Sequence, residues 1–335
     1  MTLRKQSIVF VALCILLVAG WFATDYAKEI IAEVLIFGIF AMSLNLLVGY
    51  TGMMSFGHAA FFGISTYTVI ALGVHLGVSG WLGFAAGVAA STLLAGVIGM
   101  FCIQASGISF LMLTMAFSQL LFAGALKWRS VTGGTDGLTG FVAPDLFGIS
   151  LAQSAGARYA VISIGFLIVV ALFARLVRSP LGSILIGIRD NERRMRAIGY
   201  PVRRFKLLAF MIAGGLAGVA GGLYAFLNAY VSTDILHWQQ SGDAMIMVVL
   251  GGSGTVIGPV VGAGIFLLLK TVMSSHNEYW AFWVGAIFIV CVMFLRDGAW
   301  GFIIGRLSSL GGPSRKEAGL ASAASDISEV KHDIA

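Results

Sequence analysis

Charged residues are scarce in this chain: Asp, Glu, Lys and Arg make up 11% of its 335 residues. An average soluble domain contains about 25%. Hydrophobic residues make up 59%, and the mean hydropathy is +0.95. A soluble fold of this length could not keep so much apolar surface away from water. The shortage of charge therefore excludes a soluble protein and predicts a chain that crosses the membrane several times.

Proline and cysteine are also rare, with 5 and 3 residues, whereas glycine reaches 44. Few helix breakers and many small residues favour helices packed closely through glycine, as in membrane bundles. A β-barrel would show short segments of alternating polarity instead. The cysteines lie far apart inside apolar runs and have no metal-ligand spacing. We predict an all-α polytopic membrane protein without a metal site.

Catalytic and nucleotide-binding motifs are missing from the sequence. No G-x-x-x-x-G-K-[ST] pattern occurs, so this chain does not bind ATP in the P-loop manner. The five histidines are scattered, without a pair four residues apart. The net charge of +6 sits mostly in one membrane-flanking loop, which argues against nucleic acid as a partner. We expect no catalytic residues and no cofactor bound by this chain.

Charge inside the apolar runs is nearly absent. Glu33 and Lys270 lie towards the ends of such runs, where long side chains reach the interface. A proton- or sodium-coupled carrier usually keeps carboxylates near the middle of the membrane. A stand-alone secondary carrier is therefore the weaker hypothesis, and the energy for transport is expected to come from another chain.

Apolar runs approach the roughly 20 residues that a helix needs to cross the hydrocarbon. They lie near 7–23, 30–49, 54–74, 81–104, 107–126, 158–178, 205–228, 243–272 and 279–296. With the N-terminus inside, alternation places a loop at about 127–157 outside the cytoplasm and one at about 179–204 inside. Residues 1–306 then form the transmembrane domain, and 307–335 a disordered cytoplasmic tail.

The run 243–272 carries glycines and Gly258-Pro259 at its middle, which a straight helix avoids. We interpret it as two short spans or a broken pair, which brings the total to about ten crossings. A similar glycine pattern, Gly49–Gly52 followed by Gly57, echoes Gly251–Gly254 followed by Gly258. Interrupted segments at matching positions are typical of transporter repeats, and this pattern suggests an inverted repeat.

Uncharged polar and glycine residues inside the runs are the candidates for a translocation path. One interpretation is a lining for a water-filled path; the other is hydrogen bonding between helices. The segment Ser55-Phe56-Gly57-His58 is the strongest candidate, because glycine there permits a broken helix. The full set is Asn45, Ser55, Gly57, His58, Thr114, Gly252 and Gly254.

Basic residues concentrate between two apolar runs, since 175–206 carries nine of the 21 Lys and Arg. Such a loop faces the cytoplasm. It contains helix-forming residues followed by Gly199, a helix stop. We predict a short amphipathic helix presented to a cytoplasmic partner.

Several motifs in order carry a family resemblance that covers roughly residues 30 to 300. They are Asn45–Gly52 with Ser55–Ala59, Thr132–Leu138, Ile188–Glu192 with Arg196–Gly199, Lys206–Phe210 with Ala217–Ala225, and Val249–Thr255 with Gly258-Pro259. On these motifs the chain resembles the inner-membrane permeases of branched-chain amino acid ABC transporters, of the LivM type. The resemblance implies a type II ABC importer permease-like fold in the bacterial inner (cytoplasmic) membrane.

The resemblance also implies partners and roles. It implies a LivH-type permease subunit, two cytoplasmic ATPase subunits that use the ATP, and a periplasmic substrate-binding protein. Contact with the ATPases is expected at Arg189, Asp190, Glu192, Ala197 and Gly199, and contact with the binding protein at Asp136. The sequence departs from the family pattern at Arg193, Arg194 and Arg196, where smaller or apolar residues are expected. The implied function is ATP-driven import of branched-chain or related hydrophobic amino acids; the alternative is a permease for urea, short amides or aromatic acids.

Overall fold

The structure is a computed structural model. It describes residues 14–15, 17–146, 149–276, 282–283, 285–286, 288–289, 293 and 298–301. The predicted tail 307–335 lies outside the described residues, as do much of the predicted spans 7–23 and 279–296.

The described chain is built almost entirely of α-helices joined by short connections. The helices are α1 (Asp25–Asn45, continued by a π-helical turn, Leu46–Thr51), α2 (His58–Leu76), α3 (Gly80–Cys102), α4 (Ile108–Lys127), the one-turn α5 (Arg129–Thr132), α6 (Ala155–Arg178), α7 (Pro180–Ala197), α8 (Val202–Asn228), α9 (Trp238–Gly251) and α10 (Gly258–His276). Two 3₁₀ turns, Gly134–Asp136 and Thr233–Leu236, and a short antiparallel pair, β1 (Asp145–Leu146) and β2 (Ile149–Ser150), complete the described elements.

Seven helical segments among the described residues are long and apolar enough to cross a membrane. They are Asp25–Thr51, His58–Leu76, Gly80–Cys102, Ile108–Lys127, Ala155–Arg178, Val202–Asn228 and Gly258–Ser275. The helical, multi-pass prediction is confirmed. The total of about ten crossings and the inverted repeat stay predictions.

The predicted break in the run 243–272 is present. Helix α9 ends at Gly251, and Gly252 follows with a φ of 106°, which L side chains rarely adopt. Helix α10 then starts at Gly258 and packs against α9. Helix α9 has 14 residues, a length of about 21 Å, which falls short of the roughly 30 Å hydrocarbon thickness. It is therefore a half-helix.

The chain enters this half-helix from inside the bundle. The 3₁₀ turn Thr233–Leu236 packs against α2 and α4. The Ser118 hydroxyl of α4 donates to the Leu236 carbonyl over 3.0 Å, and a methyl group added at Gly63 of α2 would overlap the Leu236 side chain. The connection between α8 and α9 thus folds inward between helices.

Small residues allow α2, α3 and α8 to pack closely. A Cβ added at Gly221 would overlap the Phe62 carbonyl, so only glycine fits there. Hydroxyl groups then bond across the contacts: the Ser65 Oγ donates to the Gly218 carbonyl over 2.6 Å, and the Ser91 Oγ to the Gly214 carbonyl over 2.8 Å. This is the glycine and hydroxyl packing typical of membrane helices.

The bundle has two distinct ends. Helix α7 lies at one, here called the basic end, where Ile108 at the start of α4 lines the same cavity as Arg189. Helix α4 ends at Lys127, about 30 Å away along its axis. Residues 128–146 and 149–154 lie at that opposite end, here called the loop end, where Leu138 pairs with Val231. The two loops that alternation assigns to opposite sides therefore lie at opposite ends.

Candidate functional site

Asn45 joins the end of α1 to the break between α9 and α10. Its side chain is fully buried. The amide nitrogen donates to the Thr255 carbonyl over 2.8 Å, and the amide oxygen accepts from the Gly254 N–H over 2.9 Å. Gly254 has a φ of 76°, so the turn that presents these groups depends on glycine. One side chain thus satisfies two backbone groups of the broken segment.

Arg189 of α7 reaches the same place. Its Nη1 donates to the Gly49 carbonyl over 2.6 Å. A Cβ at Gly49 would overlap both the Asn45 side chain and the Gly254 backbone, so these segments touch. We call Asn45, Gly49, Arg189, Gly254 and Thr255 the junction. The two glycine segments that echo each other in the sequence are therefore in contact, and α7 is bonded to one of them.

Helix α7 is kinked rather than continuous. Asn191 has non-helical angles (φ −160°, ψ 93°), and its side-chain oxygen accepts from the Arg194 N–H over 2.9 Å. This is an N-cap, so a short second helix starts at Asn191. It ends at Ala197, and Gly199 follows with a φ of 92°. The predicted short helix with a glycine stop corresponds to this second part of α7.

Glu192 anchors the second part of α7 to α8. It pairs with Lys206, whose Nζ lies 2.6 Å from Oε2, and with Arg196. Lys206 is buried, so the pairing satisfies a charge that would otherwise be costly. Partial burial raises the pKa of the Glu192 carboxyl, but the hydrogen bonds and charges of Lys206 and Arg196 outweigh it and hold the pKa below its ordinary value.

The outer surface of α7 is open to a partner. Asp190, Ala197 and Gly199 are exposed, and so are Arg193 and Arg194. Ile198 beside them is a large apolar side chain that is 62% exposed. A cavity of about 900 Å³ is lined by residues of α7 and α8 and of the basic ends of α1 and α4. Of the predicted ATPase contacts, Arg189 and Glu192 hold α7 in place, whereas the other three lie on its accessible side.

The second helix break, residues 52–57, is held by hydroxyl groups. The Phe56 N–H donates to the Thr114 Oγ1 over 3.2 Å, the Gly57 N–H to the Ser55 Oγ over 3.3 Å, and the Ala59 N–H to the Ser241 Oγ over 2.8 Å. The first N–H groups of a helix have no carbonyl acceptor within the helix. Here the hydroxyl oxygens of Thr114, Ser55 and Ser241 act as the acceptors. The break thus joins α1, α2, α4 and α9.

His58 begins α2 and is fully buried. Its Nε2 lies 3.0 Å from the Ser43 Oγ, and that hydroxyl donates to the Phe40 carbonyl over 2.6 Å. The histidine Nε2 must therefore be the donor, which leaves Nδ1 as a buried acceptor. No described residue bonds to Nδ1.

The predicted path residues therefore fall into two groups. Asn45 and Gly254 belong to the junction, with Gly252 in the same turn. Ser55, Gly57, His58 and Thr114 surround the 52–57 break. Most of them are buried and make interhelical or capping hydrogen bonds, which is the alternative interpretation of polar residues in membrane helices. Their role in a path stays a prediction.

A charged cavity at the loop-end side was missed by the sequence analysis. It measures about 350 Å³. Its charged lining residues are Asp234, Asp243 and Lys270, and Lys270 interacts electrostatically with both Asp243 and Glu33. Glu33 and Lys270 were named at run ends in the sequence analysis but were not grouped with Asp243. Asp243 lies near the start of the half-helix α9. This start lies beside a polar cavity, so it does not need the apolar residues of a full span.

A polar pattern preceding the apolar part of α9 was the available signal. Asp234, His237, Gln239, Gln240 and Asp243 lie within ten positions of one another, and all line this cavity. Such density of polar residues is unusual inside a membrane bundle and marks functional sites.

Asp136, the predicted contact for a binding protein, lies on the loop-end surface. It ends the 3₁₀ turn Gly134–Asp136 and is exposed. Gly133, Gly134 and Gly137 around it all have positive φ angles. The Thr-Gly-Gly-Thr-Asp-Gly segment is therefore a tight, glycine-dependent turn at the surface.

A helical membrane bundle with interrupted helices, a polar cavity and a basic helix at one end has the architecture of a solute transporter. The comparison with protein families identifies which kind. The family described as branched-chain amino acid transport system, permease component, matches residues 26–309. The chain belongs to this family, and it is a multi-pass inner-membrane permease of the ABC transporter class.

Individual relatives agree with this assignment. The chain is 27% identical over 317 residues to the high-affinity branched-chain amino acid transport system permease protein LivM of Escherichia coli, a match that covers 88% of this chain and 75% of the relative. It is 26% identical over 149 residues to a probable LivM of Methanocaldococcus jannaschii, 42% of this chain and 41% of the relative. It is also 26% identical over 196 residues to the autoinducer 2 import system permease protein LsrC of Klebsiella pneumoniae. That match covers 54% of this chain and 51% of the relative. No solved structure matches the chain.

Proposed function

We propose that this chain is the membrane-spanning subunit of an ATP-driven importer for branched-chain or related hydrophobic amino acids. A LivH-type permease, two cytoplasmic ATPases that bind and hydrolyse the ATP, and a periplasmic binding protein complete the transporter. The basic end faces the cytoplasm, because basic residues are retained on that side. The observation that carries the proposal is the bond from Arg189 of α7 to the Gly49 carbonyl of the junction.

The junction supplies a route for coupling. The accessible side of α7, with Asp190, Ala197 and Gly199, docks on the ATPase. Movement of α7 acts through Arg189 on the end of α1, and through Asn45 on the break between α9 and α10. Broken helices change angle more readily than continuous ones, because their connecting residues can rotate. The permease then alternates between openings at its two ends.

Glu192 is a positioning residue in this scheme. Its bonds to Lys206 and Arg196 fix the second part of α7 relative to α8. The orientation of Ala197 and Gly199 towards a partner depends on that attachment. Asp136 at the loop end is the proposed contact for the binding protein. The relatives with the widest coverage are named for branched-chain amino acids, which favours these solutes over urea, amides or aromatic acids.

The test is co-purification of the tagged chain in mild detergent from its native cell, followed by ATPase and L-leucine uptake assays in proteoliposomes. We expect recovery of a second permease and two ATPase chains. Glu192→Lys places a third cation beside Lys206 and Arg196, and we expect it to abolish ATPase recovery while the chain stays in the membrane.

The matched control is Glu29→Lys, a charge reversal of another salt-bridged glutamate. Glu29 pairs with Arg158 over 2.7 Å near the loop end, away from α7. The Glu29→Lys chain should still co-purify with the ATPase subunits. A wild-type chain that purifies alone and carries leucine without ATP would overturn the proposal in favour of a secondary carrier. Equal loss of the ATPases in both variants would refute the role of Glu192.

A further inference from the structure

We propose that the charged cavity at the loop-end side binds the ammonium and carboxylate groups of an amino acid as it passes through the chain. This inference rests on the proposed function and adds a site to it. The cavity is lined by Tyr224, Tyr230, Val231, Ser232, Asp234, Ile235, His237, Gln239, Gln240, Asp243 and Lys270.

The cavity presents both signs of charge, which is what a zwitterion requires. Lys270 is the cation, and Asp234 and Asp243 are the carboxylates. Lys270 lies close enough to Asp243 and Glu33 to interact electrostatically with each. Charges inside a membrane domain are costly, and they persist where they pair with one another or serve transport. A carboxylate group of the solute can approach Lys270, and its ammonium group the aspartates.

A buried hydroxyl beside the cavity is a second observation. Tyr67 of α2 is 6% exposed, and no described residue accepts or donates a hydrogen bond at its hydroxyl. This hydroxyl interacts electrostatically with Tyr230 and Asp234, both of which line the cavity. A buried polar group without a partner is costly. The unfilled bonding capacity next to the lining points to a polar ligand or water at this position.

The size and the apolar part of the lining also suit an amino acid. Small-molecule sites measure about 300–1,000 Å³, and this cavity of about 350 Å³ falls at the low end of that range. Val231 and Ile235 add apolar surface to the charged groups. A site of this kind holds a small zwitterion with an aliphatic side chain better than a sugar, which carries no charge.

The cavity lies between the loop end and the centre of the bundle. Val231, a lining residue, pairs with Leu138, next to the turn that carries Asp136. Trp238, next in the chain to the lining residues His237 and Gln239, has its ring 6.1 Å from the Phe56 ring of the 52–57 break, measured between centroids. The cavity lining is therefore connected both to the loop-end turn and to the 52–57 break.

The first experiment measures L-leucine uptake by the assembled transporter in proteoliposomes. Losing a charged hydrogen bond lowers affinity by roughly tenfold. We therefore expect Lys270→Met and Asp243→Asn each to reduce kcat/KM by about tenfold or more, and Lys270→Arg to restore part of it. Lys28→Met is the control, because Lys28 also pairs with a carboxylate, Asp25, at 3.1 Å but does not line the cavity.

The second experiment tests binding directly and separates it from a purely structural role of Lys270. Gln239, an exposed lining residue, is replaced by cysteine in a chain whose native cysteines are replaced by serine. Labelling of the introduced thiol by a small maleimide is then followed in the assembled transporter. We expect L-leucine to slow the labelling, and Lys270→Met to remove the protection. Neither 4-methylpentanoate, which lacks the ammonium group, nor 3-methylbutylamine, which lacks the carboxylate, should protect.

The outcomes distinguish the two proposals. Suppose that the Gln239→Cys transporter imports leucine, that leucine does not protect the introduced thiol, and that Lys270→Met leaves uptake unchanged. This result overturns the site and leaves the proposed function standing. Protection by the amine and the acid alone, at the same concentrations as leucine, also overturns the zwitterion site. An assembled wild-type transporter that imports no leucine overturns the proposed function itself.

Discussion

Replacement of Asn45 by Ala should break the junction. The side chain is fully buried and satisfies two backbone groups, the Gly254 N–H and the Thr255 carbonyl, at 2.9 and 2.8 Å. Leaving a buried polar group without a partner costs about 1–3 kcal/mol. The two groups together predict a loss of roughly 2–6 kcal/mol in the free energy of unfolding. Water entering the space left by the amide would bring the loss towards the lower value.

The loss of stability is measured by titrating the purified chain with SDS in mixed micelles and following helix content. Coupling is measured in the assembled transporter as leucine imported per ATP hydrolysed. We expect this ratio to fall in Asn45→Ala, because the break between α9 and α10 is released from α1. Asn45→Asp is the matched variant: its carboxylate still accepts from Gly254, but its second oxygen is charged, buried and placed against the Thr255 carbonyl, so a defect at least as large as that of Asn45→Ala is expected.

Two results would refute this reasoning. An unfolding free energy for Asn45→Ala within about 0.5 kcal/mol of the wild type would mean that the two backbone groups find other partners at no cost. A normal ratio of leucine to ATP in a clearly destabilised variant would mean that the junction is structural only. In that case coupling passes through other contacts of α7.

Two further predictions concern the same region. Gly49→Ala should destabilise the chain and lower uptake, because the new Cβ would overlap Asn45 and the Gly254 backbone. Gly124→Ala is the control, since no atom lies within 4 Å of its new Cβ, and it should do neither. SDS titration of both variants measures the difference in stability. Because the pKa of Glu192 is lowered in the folded chain, its stabilising contribution is present above the unfolded pKa and disappears as the pH falls through the folded pKa. The stability difference between wild type and Glu192→Gln should therefore shrink on acidification, and a difference that does not change with pH would contradict the ion pair.

The spans were predictable because their cause is local. A helix must be apolar over about 20 residues to lie in hydrocarbon, and the runs 54–74, 81–104, 107–126 and 158–178 match described helices within a few residues. The break near 251–258 was predictable for the same reason, since glycine and proline act on their own backbone.

The charged cavity was not predictable from the same pattern. Asp243 belongs to a half-helix, and a half-helix becomes visible only when the Thr233–Leu236 turn is seen to pack inside the bundle. The kink at Asn191 was missed as well, because an Asn within a helix-forming segment is ordinary until its side chain is seen to cap Arg194.

Composition, run length and charge bias act along the chain, so they suffice to predict a helical membrane protein with a basic helix at one end. The family motifs are likewise recognised from the sequence without the structure. The contacts among Asn45, Gly49, Arg189 and Gly254 are visible only in the folded chain, and so is the shared cavity of Lys270 and Asp243. Such contacts join residues that lie up to 209 positions apart in the sequence. They depend on which helix faces pack together, and a pattern along one chain does not specify that.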